Sequence, residues 1–268
     1  MTASSQISRG LSRRWATPEL GPVREGRQRA EGLRFEKNLG PAPIRDLFGF
    51  LDREFPDLLV VRKAMPSGPE GALLRVGSRS LAVVNSHDQF LARQRFTAAH
   101  ELAHYLFDSA RFSHNIDATI SERREPVEQR ANSFAIHFLL PAAAARDRFQ
   151  SGTLDLADDE SLVSFAMEYG VSIQSLAWHL RNVLGVSEAD RKRMASIESP
   201  FKVAVRLGLI DRVQQEFGAK GVTRWPRRYV RLALKGFESG RVSRPELASL
   251  LEDQRLTADL EALLNTTQ

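Results

Sequence analysis

The sequence lacks cysteine altogether, and it lacks any apolar run of about 18 residues. The absence of cysteine excludes disulfides and thiolate metal sites, so a metal ion would have to be held by histidine and carboxylate side chains. The first twenty residues also lack the apolar middle of a secretory signal and contain several arginines. We therefore expect a cytoplasmic protein that does not contact a membrane.

Acidic residues are missing from one stretch near the C-terminus. The 268-residue chain has a formal net charge of +5, and residues 224–235 contain five basic residues and no acidic one. A basic patch can contact nucleic acid or an acidic partner, but it is more often a solvated helix face, and we favour that second interpretation. With 42% hydrophobic residues, the chain is long enough to bury a sizeable core.

Hydrophobic periodicity predicts an α+β fold. Short aliphatic runs separated by turn-forming sequences predict a small three-stranded antiparallel sheet, formed by residues 58–62, 72–76 and 80–85. Helical spacing predicts helices before and after this sheet, over residues 23–37, 44–55, 89–107 and 126–140. From about residue 143 onward only short helices are indicated, so we expect an all-helical C-terminal region.

The segment RFTAAHELAHYLF, residues 95–107, carries the pattern His-Glu-x-x-His. His100 and His104 lie about 6 Å apart along one helical face, and two imidazoles at this spacing hold Zn²⁺. Glu101, beside the first histidine, can act as a general base towards a water molecule. The alternative is a pair of half-buried helix histidines. A preceding sheet and a helix without proline or glycine favour the metal site.

A catalytic zinc site needs a third protein ligand and one open position. The next helix offers Glu125 and Glu128. We favour Glu128, because Glu125 precedes Pro126 and suits the start of the helix. Asn132 lies four residues later on the same face, where its amide could orient a ligand. The alternative is that both glutamates are surface charges.

Two segments together resemble the ImmA/IrrE family of metallopeptidases: RQRFTAAHELAHYLF and EQRANSFAIHFLLP, which begins at Glu128. That family joins an RFTxAHELGH-type helix to an ExEANxFAxxLLMP-type helix, and the resemblance covers about residues 44–141. It implies a zinc-dependent endopeptidase with His100, His104 and Glu128 as metal ligands and a three-stranded sheet before the active-site helix. Ala103 stands for the usual glycine, and Arg130 stands for a second glutamate, which puts the local salt bridges in doubt.

The resemblance also implies a substrate. Members of the family cut or inactivate helix-turn-helix repressors, which derepresses genes of the DNA damage response or of mobile elements.

Mn²⁺ or Fe²⁺ could replace Zn²⁺ at a site of two histidines and one glutamate. Tyr105 and His114 are candidates for a donor to the oxyanion. The remaining histidines, His87, His137 and His179, belong to no recognised motif. We expect the last two to lie in the core or at an interface.

Two alternatives come from other functional classes. The helical pair around Gly170 has the spacing of a helix-turn-helix, which suggests a DNA-binding regulator. Trp178 and Leu180 weaken this hypothesis because they indicate a largely buried second helix, with only His179 and Arg181 free to read bases. The other alternative is a non-hydrolytic, zinc-stabilised interaction protein or toxin–antitoxin partner. The presence of a general base argues against it.

The expected domains follow from these assignments. We expect a flexible N-terminal tail, a zincin-like metallopeptidase domain, a helix-turn-helix-like region and a C-terminal helical module, at residues 1–22, 23–150, 151–198 and 199–268. The last two resemble helical regions that follow the peptidase core in the family.

Overall fold

The computed structural model describes residues 21–108 and 125–251. Residues 1–20 of the expected tail at 1–22 and the candidate His114 lie outside the described residues, and Pro22 already begins the first described helix. No described helix has the length and apolar character needed to cross a membrane.

The sheet has three strands, β1 (Leu58–Lys63), β2 (Gly71–Val76) and β3 (Arg79–Asn85), in the order β1-β3-β2. β2 and β3 form an antiparallel hairpin, whereas β1 lies parallel to β3. The expected α+β fold with a small three-stranded sheet is confirmed. The prediction that the sheet is wholly antiparallel is wrong.

The mixed sheet arises from the connection between β1 and β2. This connection passes over the end of β3 instead of forming a hairpin. Asn85, the last residue of β3, fixes it there: its amide nitrogen donates to Met65 O at 2.8 Å, and its amide oxygen accepts from Met65 N at 3.0 Å. β3 therefore becomes the central strand, and its side chains Ala82 and Val84 are fully buried.

The described residues also contain twelve helices: α1 (Pro22–Glu36), α2 (Leu47–Glu54), α3 (Leu91–Phe107), α4 (Pro126–Leu139), α5 (Ala142–Gln150), α6 (Asp159–Tyr169), α7 (Ile173–Leu184), α8 (Glu188–Ala195), α9 (Pro200–Arg206), α10 (Ile210–Gly218), α11 (Arg227–Glu238) and α12 (Arg244–Leu251). The four predicted early helices are all present. Every named element after β3 is a helix, as expected.

Local sequence explains several helix ends. Pro126 occupies the first turn of α4, where its missing N–H removes no hydrogen bond. Gly170 ends α6 with φ +62°, a left-handed conformation that glycine adopts without strain. At the start of α12, the Ser243 backbone N–H donates to Glu246 Oε2 at 2.7 Å, which is one of the two hydrogen bonds of a capping box.

A continuous apolar core joins the sheet to the helices from α1 to α9. Its largest fully buried side chains include Phe134 and Phe138 of α4, which stack on each other. A separate small cluster, formed by Ala233, Leu247 and Leu251, holds α11 against α12. The helix that carries the two histidines, α3, lies within the larger core and contacts both β2 and β3.

Candidate metal centre

The position of α3 is fixed by polar contacts as well as by apolar packing. The buried guanidinium of Arg95 donates to four backbone carbonyls from two distant segments, those of Ile44, Arg45, Tyr169 and Gly170. At the N-terminus of α3, the carboxylate of Glu216 accepts a hydrogen bond from Ala92 N at 2.9 Å. A carboxylate at this position satisfies a free N–H and interacts favourably with the helix dipole.

His100, His104 and Glu128 converge at one point between α3 and α4. The Nε2 atoms of the two histidines are 3.0 Å apart. The two carboxylate oxygens of Glu128 lie 3.1 Å from His100 Nε2 and 3.2 Å from His104 Nε2. The structure therefore brings together the three residues for which metal ligation was predicted.

These distances suit a shared metal ion. Nitrogen and oxygen ligands at about 2.0–2.1 Å from a tetrahedral ion lie roughly 3.3 Å from one another, close to the separations observed here. The other ring nitrogens have acceptors of their own: His100 Nδ1 lies 3.1 Å from Asn132 Oδ1, and His104 Nδ1 lies 3.0 Å from Asp108 Oδ2. When each Nδ1 carries the proton, both Nε2 lone pairs face the carboxylate, and a cation is needed to offset their repulsion.

The electrostatics around His104 favour a cation. Burial by itself lowers the pKa of His104, but hydrogen bonds to Asp108 and Glu128 outweigh it and raise the pKa to about 9. The same two carboxylates that stabilise a protonated imidazole would stabilise a metal ion in its place. The donor set and its surroundings thus fit a divalent cation.

Glu101 lies beside this cluster and is only 6% exposed. Burial raises the pKa of Glu101, and the nearby imidazoles of His100 and His104 oppose that rise. The start of β2 lies directly over the carboxylate. A Cβ atom added at Gly71 would be 2.6 Å from Glu101 Oε1, so only glycine leaves room for the carboxylate.

The other candidates from the sequence lie elsewhere. Glu125 is exposed at the start of α4, outside the cluster. Tyr105 packs edge-on against Phe55, with ring centroids 6.3 Å apart, so its ring belongs to the packing of α2 and α3. His87 is exposed in the turn before α3.

His137 and His179 are buried, at 3% and 1% exposure, as expected for core residues. Their rings meet edge-on at 4.7 Å. The suggestion that His179 is free to read DNA bases is therefore wrong, because α7 turns this residue inward. Trp178, for which burial was expected, is 51% exposed, and Arg191 lies 4.2 Å over its ring. Arg181 forms an ion pair with Glu188.

The basic stretch at 224–235 is divided between two roles. Arg224 pairs with Asp52 of α2 at 2.6 Å and forms a backbone bridge to Arg62, so it attaches the C-terminal helices to the sheet. The other basic residues are exposed along α11, in agreement with a solvated helix face: Arg227, Arg228, Arg231 and Lys235.

Two charged residues near the cluster, Asp108 and Glu25, escaped the sequence analysis, and Arg130 was named there only as a departure from the family pattern. Asp108 lies four residues after His104, so helical spacing could have identified it. Arg130 forms ion pairs with Asp108 and Glu25. No local pattern indicates these pairs, because they join α1, α3 and α4.

Residues 60–181 match the family model Peptidase_M78, described as the IrrE N-terminal-like domain. The matched segment contains His100, His104 and Glu128. The match confirms the resemblance that the two motifs indicated. No curated protein matches the chain significantly.

Proposed function

We propose that the protein is a zinc-dependent endopeptidase of the ImmA/IrrE family, since its residues 60–181 match the IrrE N-terminal-like domain. The observation that carries the proposal is the convergence of His100, His104 and Glu128 beside the buried carboxylate of Glu101. Purely structural zinc sites usually fill all four positions with protein ligands, whereas three ligands and an adjacent base are typical of hydrolytic sites.

Each residue has a distinct role in this proposal. His100, His104 and Glu128 would hold the metal ion, which when bound supplies Lewis acidity to water and to the peptide carbonyl. Glu101 accepts the proton of the attacking water and returns it to the nitrogen of the leaving amine. The raised pKa of Glu101 suits the first transfer, because a more basic carboxylate accepts a proton from water more readily, and the protonated form then donates that proton to the leaving amine.

We propose a helix-turn-helix repressor as the substrate, cleaved or inactivated in the cytoplasm so that stress-response or mobile-element genes are derepressed. This part of the proposal rests on the family resemblance. The small sheet offers few subsites, so specificity would come from docking surfaces outside the cleft. The exposed basic face of α11 is a candidate for such docking.

The test uses the purified full chain with Zn²⁺ and a helix-turn-helix protein encoded beside it, with mass spectrometry of any fragments. We expect the wild-type protein to cleave the partner and the Glu101→Gln variant to bind zinc without cleaving it. Glu125→Gln is the matched control, since it neutralises an exposed glutamate outside the cluster. Equal cleavage by wild type and Glu101→Gln would contradict the mechanism. Metal binding without cleavage by the wild type would favour the non-hydrolytic alternative.

DNA binding is the other alternative function. It predicts affinity for DNA that falls steeply with salt and is unaffected by a chelator. The burial of His179 leaves α7 with little to read bases, so we rank this alternative below hydrolysis.

A further inference from the structure

We propose that Glu25 and Arg130 are positioning residues for the metal centre and hold Asp108 in place against the ligand His104. The inference rests on the proposed metal site. It also extends that site to α1, a helix that lies outside the matched segment 60–181.

A continuous series of contacts leads away from the metal cluster. Asp108 Oδ2 lies 3.0 Å from His104 Nδ1, and Asp108 Oδ1 forms an ion pair with Arg130 Nη2. Arg130 Nη1 in turn lies 3.3 Å from Glu25 Oε2. The Asp108 side chain is only 3% exposed, and those of Arg130 and Glu25 are 16% and 21% exposed. The charges along this series alternate in sign and are largely shielded from water.

Asp108 needs such a partner because of its location. It is the C-cap residue of α3, so its backbone is no longer held on both sides by the helix. Its carboxylate lies in a region that already contains the carboxylates of Glu101 and Glu128. Arg130 compensates this negative charge through Nη2, and because Glu25 holds the other terminal nitrogen, Nη1, the guanidinium fixes the direction of the Asp108 carboxylate. A fixed Asp108 keeps the proton of His104 on Nδ1 and leaves Nε2 free for the metal ion.

Glu25 is held rigidly enough to serve as the outer anchor. α1 and α4 approach closely at Gly26, where an added Cβ would collide with the backbone carbonyl of Arg130. One turn away, Ser133 Oγ donates to Val23 O at 2.6 Å. Arg29, four residues after Glu25, also forms an ion pair with it. The N-terminal turn of α1 is therefore fixed to α4 at Arg130 and Ser133.

The direction of the change in zinc affinity when Arg130 is removed distinguishes a positioning role from a purely electrostatic one. Arg130 is positively charged, so its removal would by charge alone strengthen the binding of a divalent cation. If Arg130 acts by holding Asp108, its removal weakens binding instead. Removal of a residue that supports a metal-ligating histidine typically weakens metal binding by about 10- to 100-fold.

The experiment measures Zn²⁺ affinity of the full-length, metal-free protein in competition with a chromophoric chelator. Four variants are compared: Arg130→Gln, Glu25→Gln, the double variant and Glu31→Gln. Glu31 is the matched control, because it lies on the same helix and pairs with Arg27, away from Asp108. Circular dichroism at the assay temperature confirms that each variant is folded before zinc is added.

We expect Arg130→Gln to bind zinc about tenfold more weakly and Glu25→Gln about threefold more weakly. The double variant should bind no more weakly than Arg130→Gln, because Glu25 acts through Arg130. Glu31→Gln should match the wild type. If Arg130→Gln fails to fold, the comparison of Glu25→Gln with Glu31→Gln decides the question.

Two results would overturn the inference while leaving the proposed function intact. The first is zinc binding by Arg130→Gln, or by Glu25→Gln, that is as tight as in the wild type or tighter. The second is an additive loss in the double variant, which would mean that Glu25 does not act through Arg130. A wild-type protein that binds no zinc would overturn the proposed function, and this inference with it.

Discussion

Replacement of Gly71 by alanine tests whether the start of β2 sets the position of the proposed base. The new methyl group would lie 2.6 Å from Glu101 Oε1, and an ordinary contact begins near 3.4 Å. Glu101 would therefore retreat by about 0.8 Å, and a misplacement approaching 1 Å costs on the order of a hundredfold in rate. Thr97, whose methyl group is also in the way, is buried on α3 and cannot yield easily.

We expect kcat to fall by roughly 10- to 100-fold in Gly71→Ala, with zinc still bound, because the three metal ligands do not contact the new methyl group. Overpacking of this kind also lowers the free energy of unfolding by about 1–3 kcal/mol. The assay is cleavage of the partner repressor at saturating zinc, alongside urea unfolding. Gly218→Ala is the matched control, since a Cβ there would meet nothing within 4 Å. Activity of Gly71→Ala within twofold of the wild type would refute this account of Gly71.

Three further predictions concern the surroundings of the site. Asn132→Leu should weaken zinc binding by about tenfold, since His100 Nδ1 loses its acceptor at 3.1 Å; unchanged affinity in the chelator assay would contradict this. Glu216→Ala should lower the free energy of unfolding by about 1–2 kcal/mol in urea, because Ala92 N loses its cap, whereas Glu216→Gln should lose less. Burial lowers the pKa of His179 well below its usual value, so the neutral form is favoured in the folded state and stability falls as the pH drops below about 6.5. His179→Leu should reduce the loss of stability between pH 7.5 and 5.5 by about 1 kcal/mol, and an unchanged difference would count against this role.

The centre of the site could be predicted because its determinants are local in sequence. The four-residue spacing of His100 and His104 places both imidazoles on one face of any helix, whatever surrounds it. Glu128 was predicted from a second motif, and Asn132 from its place four residues further along α4. The structure brings Glu128 to both histidines and Asn132 to His100.

The surroundings of the site could not be predicted because they depend on packing between distant elements. Glu25 reaches Arg130 only because Gly26 lets α1 approach α4 closely. Glu216 reaches the start of α3 from more than a hundred residues away. Neither contact leaves a periodic pattern in the sequence.

Strand order and helix orientation were the remaining errors. Short strands and turn residues predict that strands exist but do not determine which of them pair, so the parallel pairing of β1 with β3 was missed. In α7, Leu180 is fully buried as expected, but the expected burial of Trp178 was wrong. The smaller imidazole of His179 is buried in the core, whereas the indole of Trp178 is exposed and lies under the Arg191 guanidinium.

The most direct test of the central claim is the stoichiometry and affinity of metal binding, followed with Co²⁺ as a spectroscopic probe and Zn²⁺ as the competitor. The account predicts one ion per chain, with the absorption bands of a four-coordinate site, bound by the wild type and by Glu125→Ala but not by Glu128→Ala. Binding of Co²⁺ by Glu128→Ala with the affinity of the wild type would contradict it, because the ion would then lie elsewhere.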